Sequence, residues 1–94
     1  MIRAFVLYEG RAPDPDRYQQ HIDDFVSKVP GATFRHGEVF GAAAGEPNFA
    51  YYAEFEWSDM QSFKEAARSE AFADSAADAM EMGIPFTVHF AEVE

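Results

Sequence analysis

The sequence predicts an α+β domain in which one four-stranded antiparallel sheet carries helices on one of its faces. Two observations lead there. Stretches with period-two hydrophobicity alternate with stretches of period 3.6, in the order β-α-β-β-α-β. One of the former, residues 49–57 (FAYYAEFEW), sets Phe49, Tyr51, Ala53, Phe55 and Trp57 on one side. Its other side mixes Tyr52 with Glu54 and Glu56. A strand with four aromatic rings on one face must lie over a core, so it belongs in the middle of its sheet.

The chain of 94 residues has the size of a single domain, residues 1–94. Seventeen acidic residues against seven basic ones give a formal charge of −10. Such a chain repels phosphate backbones and anionic lipid, so neither nucleic acid nor membrane is an expected partner. There is no cysteine, which excludes disulfides, thiolate metal ligands and thiol nucleophiles. No run approaches the ~20 apolar residues of a membrane span. The opening MIRAFVLYEG lacks the cleavage site of a signal peptide, and a cytoplasmic protein is expected.

Residues 2–9 are apolar on both alternations, as in a central strand. Asp14-Pro15 then reads as an N-cap followed by proline at the first helical position. Tyr18, Ile22, Phe25, Val26 and Val29 form one apolar stripe, and Pro30-Gly31 ends that helix. Residues 32–40 are a weaker strand with charge on both faces, as at a sheet edge. The segment GAAAGEPN, 41–48, is a turn-rich link. Ser58 or Asp59 caps the next helix. Its apolar residues fall on two stripes, Phe63-Ala66-Ala67 and Phe72-Ala76-Ala79-Met80, about half a turn out of phase. A break near Ser69-Glu70 is therefore expected, with Ser69 capping a second segment. Gly83 and Pro85 end it, and residues 86–93 are the last strand. The order fits the split βαβ, or ferredoxin-like, plan. Its strand order 4-1-3-2 places 2–9 and 49–57 in the middle.

DPDRY at 14–18, KVPG at 28–31, GEPNFAYYAEFEW at 45–57, SFKEAARSEAF at 62–72, and Asp78 together resemble the EthD family over about 80 of the 94 positions in order. Where many such chains carry His-x-Pro-Leu in the first helix, this one reads Ile22-Asp23-Asp24-Phe25 after His21. The resemblance implies a dimeric α+β barrel, a ligand pocket and a setting near oxidative degradation pathways.

A pocket between the first helix and the sheet is expected from the shared phase of Tyr18, His21, Phe25, Arg35, Tyr51, Phe55 and Trp57. His21 would carry a proton there, and Arg35 beside Tyr51 would hold a carboxylate or enolate oxygen. The plainer alternatives are a core tyrosine with a solvated histidine, and Arg35 paired with Glu9 or a helix acid. His36, Tyr52, Glu54 and His89 fall on the other alternation, and two histidines with a carboxylate suit a metal. In this strand order, however, the histidines are about three strand spacings of ~4.8 Å apart, so no metal, haem or other cofactor is expected. Met80 and Met82 read as core filling.

The face without helices would expose Tyr52, Phe34, Phe40, Ala91 and Val93, together with either Phe5 and Leu7 or Val6 and Tyr8. That is more apolar surface than a monomer usually shows, so a homodimer through the open face is expected. Two functions fit these features. One is a small pathway protein whose pocket takes a hydrophobic oxygenated molecule for cofactor-free proton transfer, isomerase, cyclase or monooxygenase-type chemistry. The other is a non-catalytic dimeric accessory or carrier module.

Overall fold

A computed structural model describes residues 1–94. The elements are β1 (Ile2–Tyr8), α1 (Pro15–Asp24), a 3-10 turn (Val26–Lys28), β2 (Thr33–Glu38), β3 (Tyr51–Trp57), α2 (Met60–Ala67), α3 (Glu70–Glu81) and β4 (Phe86–Glu92). The sheet runs β2-β3-β1-β4 with every neighbouring pair antiparallel. This is the expected order, with β1 and β3 central, and all helices lie over one face.

Strand pairing sets which side chains meet the helices. Ala4 stands opposite Phe55 and Phe90, and Val6 opposite Ala53 and Val88. These residues share the helix-facing side with Ile2, Tyr8 and Trp57, and the core is built on them. Trp57 is fully buried, and its indole N–H donates to the carbonyl of Pro30 at 3.1 Å. The chain just after α1 is thereby tied to the end of β3.

The expected phase of β2 is reversed. Phe34 pairs with Phe55, and their rings meet edge to face at 4.9 Å, so Phe34 and His36 face the helices. Arg35 pairs with Glu54 and lies on the open face. On an edge strand with charge on both alternations, sequence alone does not select a face; pairing with β3 does. Phe40 falls beyond the end of β2 and is fully exposed. The open face therefore carries Phe5, Leu7, Tyr52 and Ala91, but neither Phe34 nor Phe40.

The first helix is shorter than its apolar stripe. Asp14 caps it through a hydrogen bond from the Arg17 N–H. It stops at Asp24, and Val26–Lys28 continue as a tighter turn that buries Val26. Asp23 and Asp24 place negative charge against the negative end of the helix dipole, which disfavours further α-helix there. The break between α2 and α3 falls where the phase change puts it. Ser69 accepts from the Phe72 N–H and donates to the Ala66 carbonyl, so one hydroxyl ends α2 and starts α3.

A candidate active site between the helices and the sheet

Helix α1 carries Arg17, Tyr18 and His21 toward α3 and the sheet. His21 is 3% exposed. Its Nδ1 lies 2.8 Å from Oδ2 of Asp78 on α3. Arg17, one turn earlier, grips both oxygens of the same carboxylate at 3.0 and 2.7 Å. A fork of this kind fixes the carboxylate plane as well as its charge. Asp78 is held below the usual carboxylate range, first by the Arg17 hydrogen bonds and then by His21. Burial lowers the proton affinity of His21, outweighing the pull of Asp78. The imidazole is therefore neutral near pH 7, with its Nδ1 proton donated to Asp78. No partner in the chain engages Nε2, yet every fully buried side-chain nitrogen and oxygen is paired. Nε2 thus keeps an accessible lone pair, and His21 lines the inner cavity.

That cavity, about 40 Å³, lies between α1, α3 and the sheet. Phe34, Phe55, Phe72 and Phe86 supply apolar walls, and Tyr8, Tyr18, His21 and Ser75 bring polar atoms to it. The Tyr8 and Tyr18 hydroxyls are 3.1 Å apart. Burial raises both phenols above their ordinary range, so both stay protonated at neutral pH. One hydroxyl donates to the other, which leaves one O–H of the pair free to serve an incoming oxygen.

A second hollow of about 310 Å³ opens outward beside this cavity, between the loop after β1 and the ends of β2 and β3. His36 Nδ1 and the Tyr51 hydroxyl meet there at 2.6 Å, and Gln19 and Glu38 complete its polar rim. Tyr18 lines both spaces. Its ring stands 5.3 Å from those of both His21 and His36, so one side chain forms the partition.

The residues expected at one pocket are thus divided. Tyr18, His21 and Phe55 line the inner cavity, and Tyr51 lines the outer hollow. Phe25 sits in a separate surface groove against α3, because α1 ends just before it. Trp57 is core. Arg35 is on the far side of the sheet, bonded to Glu54 at 3.1 Å and Glu56 at 3.0 Å rather than to Glu9 or a helix acid. His36 and His89 are on opposite faces as well as opposite edges, and no cluster of three acidic or histidine side chains is spaced to hold a metal ion. The pocket reading missed Arg17, Tyr8 and the pairing of His21 with Asp78. A signal for Asp78 existed: Ser75, Asp78, Ala79 and Met82 recur at helical spacing, and Ser75 and Ala79 are buried.

No protein-family model matches the chain, and no curated protein matches it. Solved structures do share its fold. An EthD family protein from Bacillus halodurans superposes with a TM-score of 0.76 at 24% identity, covering 100% of this chain and 99% of that one. An EthD-like protein from Ralstonia eutropha gives 0.73 at 19%, covering 98% and 90%. A dimeric ferredoxin-like protein of unknown function from Jannaschia gives 0.69 at 18%, covering 98% of each chain. The fold is ferredoxin-like α+β, and its neighbours include the EthD proteins that the sequence resembles.

Proposed function

We propose that this chain is a small enzyme of the EthD type that moves a proton on a hydrophobic, oxygenated small molecule held between α1, α3 and the sheet. The observation behind this reading is the neutral, buried His21, which lines the cavity and is oriented through Nδ1 by Asp78 and Arg17, with Nε2 left without a partner in the chain. Nε2 takes a proton from carbon next to a carbonyl. The electron pair moves onto the carbonyl oxygen, where the Tyr8–Tyr18 pair donates a hydrogen bond. Returning the proton at another carbon completes an isomerisation. Attack of the enolate on a second carbonyl of the same molecule is a cyclisation, and reaction with dioxygen would begin monooxygenase chemistry. All three share the first step.

Hydrogen–deuterium exchange tests that step. Incubation with 2-tetralone in D₂O should give enzyme-dependent deuteration next to the carbonyl, reduced about 10²-fold or more in His21→Ala. Exchange no faster than in buffer, or equally fast in a folded His21→Ala, sinks the enzymatic reading. The strongly apolar walls favour a second reading, a carrier or accessory module that binds such a molecule without changing it. Saturable binding of tetralone without exchange would select it.

Either reading takes the protein as a cytoplasmic homodimer joined through the open sheet face. Phe5, Leu7 and Tyr52 on that face are only half covered, and the Jannaschia neighbour is described as dimeric.

A further inference from the structure

We propose that Phe40 of one copy docks into the apolar hollow between α3 and the start of β4 of a second copy, locking a dimer whose twofold axis runs parallel to the strands. The proposal rests on the homodimer reading above. Phe40 is fully exposed two residues beyond β2. A hollow of about 440 Å³ is formed by Met80, Gly83, Ile84, Pro85 and Phe86; its floor, Ile84, belongs to the core, while Met80, expected to fill the core, is 69% exposed at its rim.

Charge on the open face selects the axis. Pairing across the sheet makes three rows: Thr33-Glu56-Arg3-Ala91, Arg35-Glu54-Phe5-His89 and Gly37-Tyr52-Leu7-Thr87. Two copies packed face to face have two simple twofold arrangements. An axis across the strands through the middle row sets Glu54 over Glu54 and Arg35 over Arg35. An axis along the strands, between β1 and β3, sets Arg3 over Glu56 of the second copy and Tyr52 over its Leu7. Like charges directly opposed are unfavourable, so the second arrangement wins.

The second arrangement also fixes where Phe40 goes. It lays β2 of one copy against β4 of the other with the same ends together. The chain past Glu38 and the chain before Phe86 meet at one end of the sheet. Backbone bonds from Glu9 N–H to Pro85 and from Ala50 N–H to Tyr8 mark that end. Two residues reach ~7 Å and the ring several more, against a sheet spacing of ~10 Å, so Phe40 can touch Pro85 and Phe86.

The chain has no cysteine, so engineered thiols give a clean test. Phe40→Cys/Met80→Cys, treated with a short flexible bismaleimide, should run at twice the chain mass on a denaturing gel. Phe40→Cys/Ala32→Cys should not, because Ala32 lies at the far end of β2. Phe40→Ser should weaken association by about a hundredfold, since symmetry removes two contacts. A dimer by light scattering that cross-links through 32 and not 80, or through neither, overturns the docking and leaves the dimer standing. A wild-type mass of one chain removes the dimer, and the docking with it.

Discussion

His21 is the residue on which chemistry at this site would turn, and its protonation is set by groups one helix away. Burial holds it neutral, so between its lowered folded value and an unfolded value near 6.5 the folded chain binds fewer protons than the unfolded one. Its contribution to stability is therefore full above about pH 6.5 and declines as pH falls below it. Thermal melts from pH 7.5 to 5 should show this decline in the wild type and a shallower one in His21→Gln; equal slopes would count against it. Arg17 opposes protonation of His21 and also holds down Asp78. Arg17→Met should raise the His21 midpoint, read from its ring proton shifts by NMR, and Arg17→Lys should restore part of the difference. An unmoved midpoint would mean that the guanidinium has no hold on the imidazole. On the open face, Gly37 leaves room for the Tyr52 ring, since a Cβ there would stand 3.1 Å from Cε1.

Among the elements, the α2–α3 break was readable because it rests on local phase: Phe63 and Phe72 cannot both be buried by one straight helix. Ser69 is the residue that makes it work. Ser69→Ala should cost about 1 kcal/mol and lower the melting temperature by roughly 4–8 °C, without moving the His21 titration. The strands of the sheet centre were readable for a related reason. Phe55 and Trp57 on β3, and the two apolar alternations of β1, specify their burial without help from neighbours. β2 was not readable, because Thr33, Phe34, Arg35 and His36 suit either face and only pairing with β3 decides. That uncertainty is what carried Arg35 into the expected pocket and His36 out of it. The length of α1 was overstated for another reason. Phe25, Val26 and Val29 continue the helical spacing, but a 3-10 turn buries Val26 as well. The His21–Asp78 pair spans 57 positions, so only a folded chain reveals it.

At the scale of the whole molecule, the open face joins an apolar group, Phe5, Leu7 and Tyr52, to a charged one. Arg3 bonds Glu56, and Arg35 bonds both Glu54 and Glu56, so these four side chains carry no net charge. A face so balanced can meet its own copy despite a formal charge of −10 per chain. Tyr52→Asp should shift the protein toward monomer by light scattering at micromolar concentration, because a carboxylate would be desolvated there without a partner. Added salt screens the repulsion between two chains of like charge, so it should leave association of the wild type unchanged or strengthen it. A Tyr52→Asp protein that remains dimeric would move the interface elsewhere.

Tyr18 stands between a small, mainly apolar inner cavity and a wider outer hollow, and on the proposed function this makes the size of an acceptable guest a property of one torsion angle. On the proposed function, a compact molecule would reach His21 with the ring in place and a longer one would stop beside His36. With the ring swung aside, the two spaces would join, with the imidazoles of His21 and His36 flanking the junction. A lineage of such proteins could change the length of what it admits by altering this one side chain, leaving the sheet, the helices and His21 untouched.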